Sequence, residues 1–170
     1  MRPALGVSVE LSVLTAALSA SYVIPPGGFL IYVVVVQLLA TYLVHCPAHY
    51  FFGRAVGIRF SEIGTGRTTL AKALPPSFGK LAGAIPVLTL STHKASLVGK
   101  SRSRVSAMYA SGTVASIASA MLIAGVASLA SPVIELASWA VAIGYLIFDA
   151  IFSPRSGDLS RAKRAWRLLP

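Results

Sequence analysis

The chain has 170 residues, of which 55% are hydrophobic and 12% charged, and its mean hydropathy is +0.75. Soluble domains carry about a quarter charged residues, so this composition excludes an ordinary soluble enzyme and predicts a single membrane domain. The net charge of +10 raises nucleic acid as a partner. However, all 15 Lys and Arg fall at Arg2, within 54–104 or within 155–167. That segregation is expected of the cytoplasmic face of a multi-pass protein. No aromatic-and-basic nucleic-acid motif accompanies it, and anionic lipid head groups are the expected counter-charge.

The first span is expected at 4–24, long enough at ~1.5 Å per residue to cross ~30 Å of hydrocarbon. Glu10 in its middle opposes reading it as a signal peptide, so it is taken as a retained span. Glu10 should face protein or sit near the inner head groups, held by a structural hydrogen bond or ion pair. Pro25-Pro26-Gly27-Gly28 is an uncharged turn. The second span covers 29–52, and its run Val33-Val34-Val35-Val36 must be helical in lipid. At its far end stand His45 and His49, four residues apart on one helix face, where both imidazoles can reach one metal ion. Histidine is costly at membrane depth, which makes the pair a functional candidate. The alternative is that both rings only hydrogen-bond neighbouring helices. Pro47, between them, removes the amide that would bond Leu43 and predicts a kink. Cys46 is the one cysteine and cannot form an internal disulfide.

Residues 53–105 form a cytoplasmic loop. Weak alternation over 58–70 around Gly64-Thr65-Gly66 predicts a small hairpin, and Pro75-Pro76 ends any helix around 69–74. Leu81 to Leu90 is apolar but too short to cross, so it is re-entrant, interfacial or a strand against the site. His93 reads as a solvent-facing loop residue rather than a third ligand. Lys94 to Arg104 is solvated or lipid-facing. The third span, 106–130, carries Gly112, Ser116, Ala120, Ala124 and Ser128 at every fourth position, a stripe for close helix packing. Ser131-Pro132 turns the chain into the fourth span, 133–153. Trp139 and Tyr145 lie in its core or interface, and Asp149 near its inner end. A basic tail, 154–170, follows with Asp158 and Trp166. The expected fold is an all-α membrane protein of about four transmembrane helices. A short re-entrant or β-hairpin insertion separates helices 2 and 3, and both termini are cytoplasmic.

The stretch from Tyr42 to Phe60 resembles the first motif of the site-2 protease family of intramembrane zinc metalloproteases. That motif reads His-Glu-x-x-His, then an aromatic and a Gly-Ile/Val-basic segment. His45 and His49 match the two zinc-binding histidines, and Tyr50 and Gly57-Ile58-Arg59 match the flank. Cys46 stands where the family has its general-base glutamate. The resemblance covers residues 30–60, and the rest by layout only. It implies zinc, and a short sheet that presents substrate as an added strand, to which Val87-Leu88-Thr89-Leu90 is similar in composition. Ala110-Ser111-Gly112 falls where the family often has Ala-Gly-Pro. The family's third ligand is an aspartate in an Asp-Gly motif after Asn-Pro. Asp158, in Gly157-Asp158 after Ser153-Pro154, falls at that place with the order reversed, and Asp149 competes with it. Otherwise Asp149 pairs with a loop arginine and Asp158 caps the tail helix.

Zinc-dependent peptide hydrolysis needs a metal that polarises the carbonyl and activates water, and a carboxylate that accepts the water proton. His45, His49 and Asp158 supply three ligands with an open fourth position. The Cys46 thiol coordinates zinc or stays neutral rather than acting as such a base. Glu10 and Glu62 are the remaining candidates for the base. The expected function is a non-proteolytic relative that binds zinc and holds a transmembrane segment or partner subunit. One alternative is an active metalloprotease with a displaced base. The other is a small structural subunit whose histidines pack, or ligate haem or copper.

Overall fold

A computed structural model describes residues 1–67 and 86–168. Any helix around 69–74, and residues 81–85 of the short apolar run, lie outside the described residues. Four helical segments are long and apolar enough to cross a membrane: Pro3–Tyr22, Pro26–Ala55, Arg102–Ala127 and Pro132–Arg155. Between the second and third lies a two-stranded sheet.

Helix α1 (Pro3–Ser19) starts with proline at its first position, where the missing amide costs nothing. It buries only Gly6, Val7 and Glu10, one narrow face. Helix α2 (Phe29–Leu43) and helix α3 (His45–Ala55) are separated at Val44. The break is where Pro47 deprives the Leu43 carbonyl of its donor. Helix α4 (Arg102–Ala127) follows the loop. Helix α5 (Pro132–Ser156) is capped by Ser131, whose hydroxyl accepts from the Ile134 amide at 3.3 Å. Pro154 lies in its last turn and Gly157 is extended beyond it. The chain then turns into a short basic helix, α6 (Asp158–Leu168).

Strand β1 (Phe60–Arg67) pairs antiparallel with β2 (Pro86–Thr92), with Ile63 opposite Leu90 and Thr65 opposite Leu88. This corrects the hairpin expected around Gly64-Thr65-Gly66, which lies inside one continuous strand. Alternation marks a strand but not its partner, and here the partner comes some twenty residues later. Gly64 does not have the positive φ that a tight hairpin turn would use; among described glycines only Gly57 and Gly99 do. The outer edge of β1 is covered at Ile63, whose amide donates to the Met1 carbonyl at 3.1 Å and whose carbonyl accepts from the Met1 amine at 3.2 Å.

The small-residue stripe of α4 does what its spacing predicts. Gly112, Ser116, Ala120 and Ala124 are buried, and Ala120 and Ala124 pack on Ala142 of α5. Buried Gln37 of α2 joins this seam, its Nε2 donating to the Ala120 carbonyl at 2.9 Å and the Ser138 carbonyl at 3.0 Å. Interhelical hydrogen bonds of this kind average about 0.6 kcal/mol each. Below it, Ile58, Val105, Met108 and Ala165 form a second core that binds the loop and α6 to α4.

Glu10 departs from expectation. It is 3% exposed, yet neither carboxylate oxygen has a hydrogen-bond partner. The face it occupies is therefore turned to protein, as its cost in lipid requires, but no ion pair or hydrogen bond accompanies it among the described residues.

Candidate metal centre

His45 and His49, four residues apart in α3, share one face, their ring centroids 4.8 Å apart and nearly perpendicular. The turn at Pro154 and Gly157 brings the first residue of α6 back to that face. Ser153 stabilises the turn, its hydroxyl accepting from the Leu159 amide at 3.3 Å. Asp158 Oδ2 consequently lies 2.7 Å from His45 Nε2 and 3.1 Å from His49 Nε2, and the two Nε2 atoms are 3.2 Å apart. The three side chains offer ligand atoms all within 4.8 Å of one another. Asp149 does not belong to this trio. Asp158 does not cap its helix either; it is the first helical residue, where the helix dipole favours an anion.

The outer hydrogen bonds fix both ring tautomers. His49 Nδ1 is 2.7 Å from the Met108 carbonyl, which can only accept, so Nδ1 carries the proton. His45 Nδ1 is 3.1 Å from Ser116 Oγ. The Ser116 hydroxyl donates to the Thr41 carbonyl at 2.6 Å, so it accepts from His45. In the neutral rings both Nε2 lone pairs then converge on a carboxylate oxygen. Three acceptors meet with no donor between them. A proton on either ring satisfies one edge of this triangle, whereas a dication satisfies all three. Nδ1–H groups held by backbone and hydroxyl acceptors are also the usual support of metal-bound histidine.

The dimensions fit as well. Zinc bonds of ~2.0–2.2 Å in tetrahedral geometry give ligand–ligand edges of about 3.4 Å, and two of the three edges here are within about 0.3 Å of that. Burial disfavours an ionised Asp158, and only a proton on one of the Nε2 atoms, donated to Oδ2, would hold the carboxyl below the usual carboxylate range. Its other oxygen faces Arg161, with Nη1 at 3.6 Å. His45 remains 30% exposed, against 10% for His49 and 15% for Asp158, leaving one open side. The adjoining cavity of about 90 Å³ is lined by these residues, Cys46 and strand β2. Small-molecule pockets run from ~300 Å³, so this space takes an ion and waters rather than a haem.

Cys46 is buried beside the trio, its thiol donating to the Leu88 carbonyl at 3.5 Å. The Leu88 amide donates to Tyr42 Oη at 3.1 Å. Strand β2 therefore lies against the α2–α3 junction. Glu62 is exposed on β1, and His93 is an exposed loop residue whose amide donates to the Arg59 carbonyl.

Gly112, Ser116, Met108 and Arg161 were not identifiable as parts of the site from sequence. The four-residue stripe was the available signal for Gly112 and Ser116, but packing alone accounts for such a stripe. A Cβ at Gly112 would stand 2.7 Å from His49 Cε1 and 2.8 Å from Cδ2. Gly112→Val should accordingly leave α4 helical by circular dichroism, displace the His49 ring and lower metal affinity by at least about tenfold. Affinity equal to wild type would show that the ring is not held there. Compared with protein-family models, curated proteins and solved structures, the chain matches none.

Proposed function

We propose that this chain is a site-2-protease-like membrane protein that binds zinc, does not cleave peptides, and holds an extended or transmembrane segment of a partner beside the metal. The observation that carries this reading is the convergence of His45, His49 and Asp158, with both histidine tautomers fixed for metal. The position after His45 supports the absence of catalysis, since the Cys46 thiol is engaged by Leu88. The holding role is supported by the edge of β2. Both backbone groups of Ile63, opposite Leu90, turn to Met1. In an antiparallel ladder the Leu90 amide and carbonyl then point the other way, along the edge that lines the metal cavity. At Leu88 the same edge is taken by Tyr42 and Cys46, so an extended chain can pair with it from Leu90 onward. Elemental analysis of purified protein, together with a cleavage assay on transmembrane substrates, tests the proposal: metal without cleavage is expected.

A second reading, an active protease with a displaced base, is favoured by one observation. Glu10 is a buried carboxylate without a hydrogen-bond partner among the described residues. Cleavage by wild-type protein that is lost on Glu10→Gln would select it.

The proposed orientation puts both termini and every basic loop in the cytoplasm, because the turns around 25–28 and 131–132 contain no Lys or Arg. A membrane-impermeant thiol reagent applied to intact cells should label Gly28→Cys and spare Val98→Cys, whose native side chain is 81% exposed. The opposite pattern would invert the topology.

A further inference from the structure

We propose that α6 is a docking surface for anionic phospholipid head groups, and that this docking sets how firmly Asp158 is held for the metal; the coupling rests on the metal reading above. Asp158, Ala162 and Ala165 are spaced i, i+4, i+7 and occupy one face. Ala162 and Ala165 are buried, and the Ser106 hydroxyl donates to the Ala162 carbonyl at 2.7 Å. At ~100° per residue, Lys163, Arg164 and Arg167 project from the opposite face, and all three are exposed. Trp166 stands at the flank, 52% exposed, with the Arg102 guanidinium 5.3 Å from its ring centroid.

Position selects lipid over a soluble acidic partner. Only Gly157 separates α6 from α5, which is long and apolar enough to cross a membrane, so the basic face is tethered where the head groups would lie. Tryptophan beside basic residues is the usual composition of such an interface. Each basic side chain near an anionic leaflet contributes about a fivefold preference for it. Asp158 is the first residue of the same helix, and Arg161 Nη1 lies 3.6 Å from its outer oxygen. Movement of α6 away from the surface would draw the carboxylate from the histidines, and lipid contacts on Lys163, Arg164 and Arg167 oppose that movement.

The test uses full-length protein in nanodiscs of phosphatidylcholine, alone or with one third phosphatidylglycerol. Zinc affinity is read by chelator competition. Docking is read separately by Trp166 emission in a Trp139→Phe background. Zinc should bind at least about threefold more tightly in the anionic discs, with a blue shift of Trp166. Lys163→Gln/Arg164→Gln/Arg167→Gln should lose both effects, and Arg164→Lys/Arg167→Lys, which keeps the charge, should retain them. An equal gain in the triple Gln variant would overturn the coupling, because the surface then merely concentrates metal. Unchanged Trp166 emission in the otherwise wild-type protein would overturn the docking. Zinc binding in no disc would refute the metal reading, and Trp166 emission would then decide the docking by itself.

Discussion

Purified protein should carry about one zinc per chain, and His45→Ala/His49→Ala protein should carry none detectable, a loss of at least about a thousandfold in affinity. The magnitude follows from the coordination number. Structural zinc sites of four protein ligands are worth ~10–16 kcal/mol of apparent binding free energy, and this trio would lose two of three protein ligands. Asp158→Ala should be nearly as damaging, since it removes the only anion among the trio. It would also leave the Arg161 guanidinium, now 3.6 Å from that carboxylate, without its counter-charge. Asp149→Asn should bind as wild type does. Ser116→Ala removes the acceptor of His45 Nδ1–H together with the donor to the Thr41 carbonyl, and losses of an outer partner run to about 10–100-fold. Acidification should weaken binding throughout the series, because protons compete with metal for the ligand atoms. Elemental analysis and chelator competition read all of these. Metal retained by the double histidine variant, or lost equally from Asp149→Asn and Asp158→Ala, would overturn the assignment of ligands.

The membrane helices were legible because twenty apolar residues have few other destinations. The described helices shift their ends by a few residues from the expected spans, as caps and proline decide. The histidine pair was legible because i and i+4 share a face by helix geometry alone. Asp158 was separable from Asp149 only through resemblance. The turn that carries it back depends on Pro154, Gly157 and the Ser153 hydroxyl together, and no single one of these specifies a direction. The pairing of β1 with β2 was illegible because ladder partners are set by tertiary arrangement rather than by local pattern. Helix α6 hid inside a basic tail: its buried face is made by Ala162 and Ala165, which add little hydrophobic signal. The polarity of Glu10 in an apolar run implied a protein-facing side, yet whether a partner waits on that side is a property of the neighbouring helices.

Wild-type protein loaded with zinc should not cleave transmembrane substrates at a measurable rate, and Cys46→Glu should gain metal-dependent turnover by at least about tenfold. Bound zinc lowers the pKa of its water to ~7, so formation of the nucleophile is not the obstacle. The water proton must still be accepted and delivered to the leaving amine, and positioned acid–base groups contribute ~10²–10⁴-fold. Cys46 follows His45 directly and projects ~100° around the helix from it, close to the metal's flank. Its thiol donates to the Leu88 carbonyl and lies in a buried position, so it has no carboxylate-like capacity to take a proton. A glutamate side chain there is longer and carries a carboxylate into the cavity that Cys46 lines together with the trio. Pro47 already interrupts the helical hydrogen bonding at Val44 in the native chain, and it is retained in the variant. His49→Ala added to Cys46→Glu should abolish the gained turnover, and Glu10→Gln added to it should not. Wild-type cleavage that disappears on chelation and on His49→Ala would refute the non-proteolytic reading. In that event Glu10 is the group to test, because it is the buried carboxylate without a partner, whereas Glu62 lies exposed on β1, and Glu10→Gln would then abolish turnover while leaving zinc content unchanged.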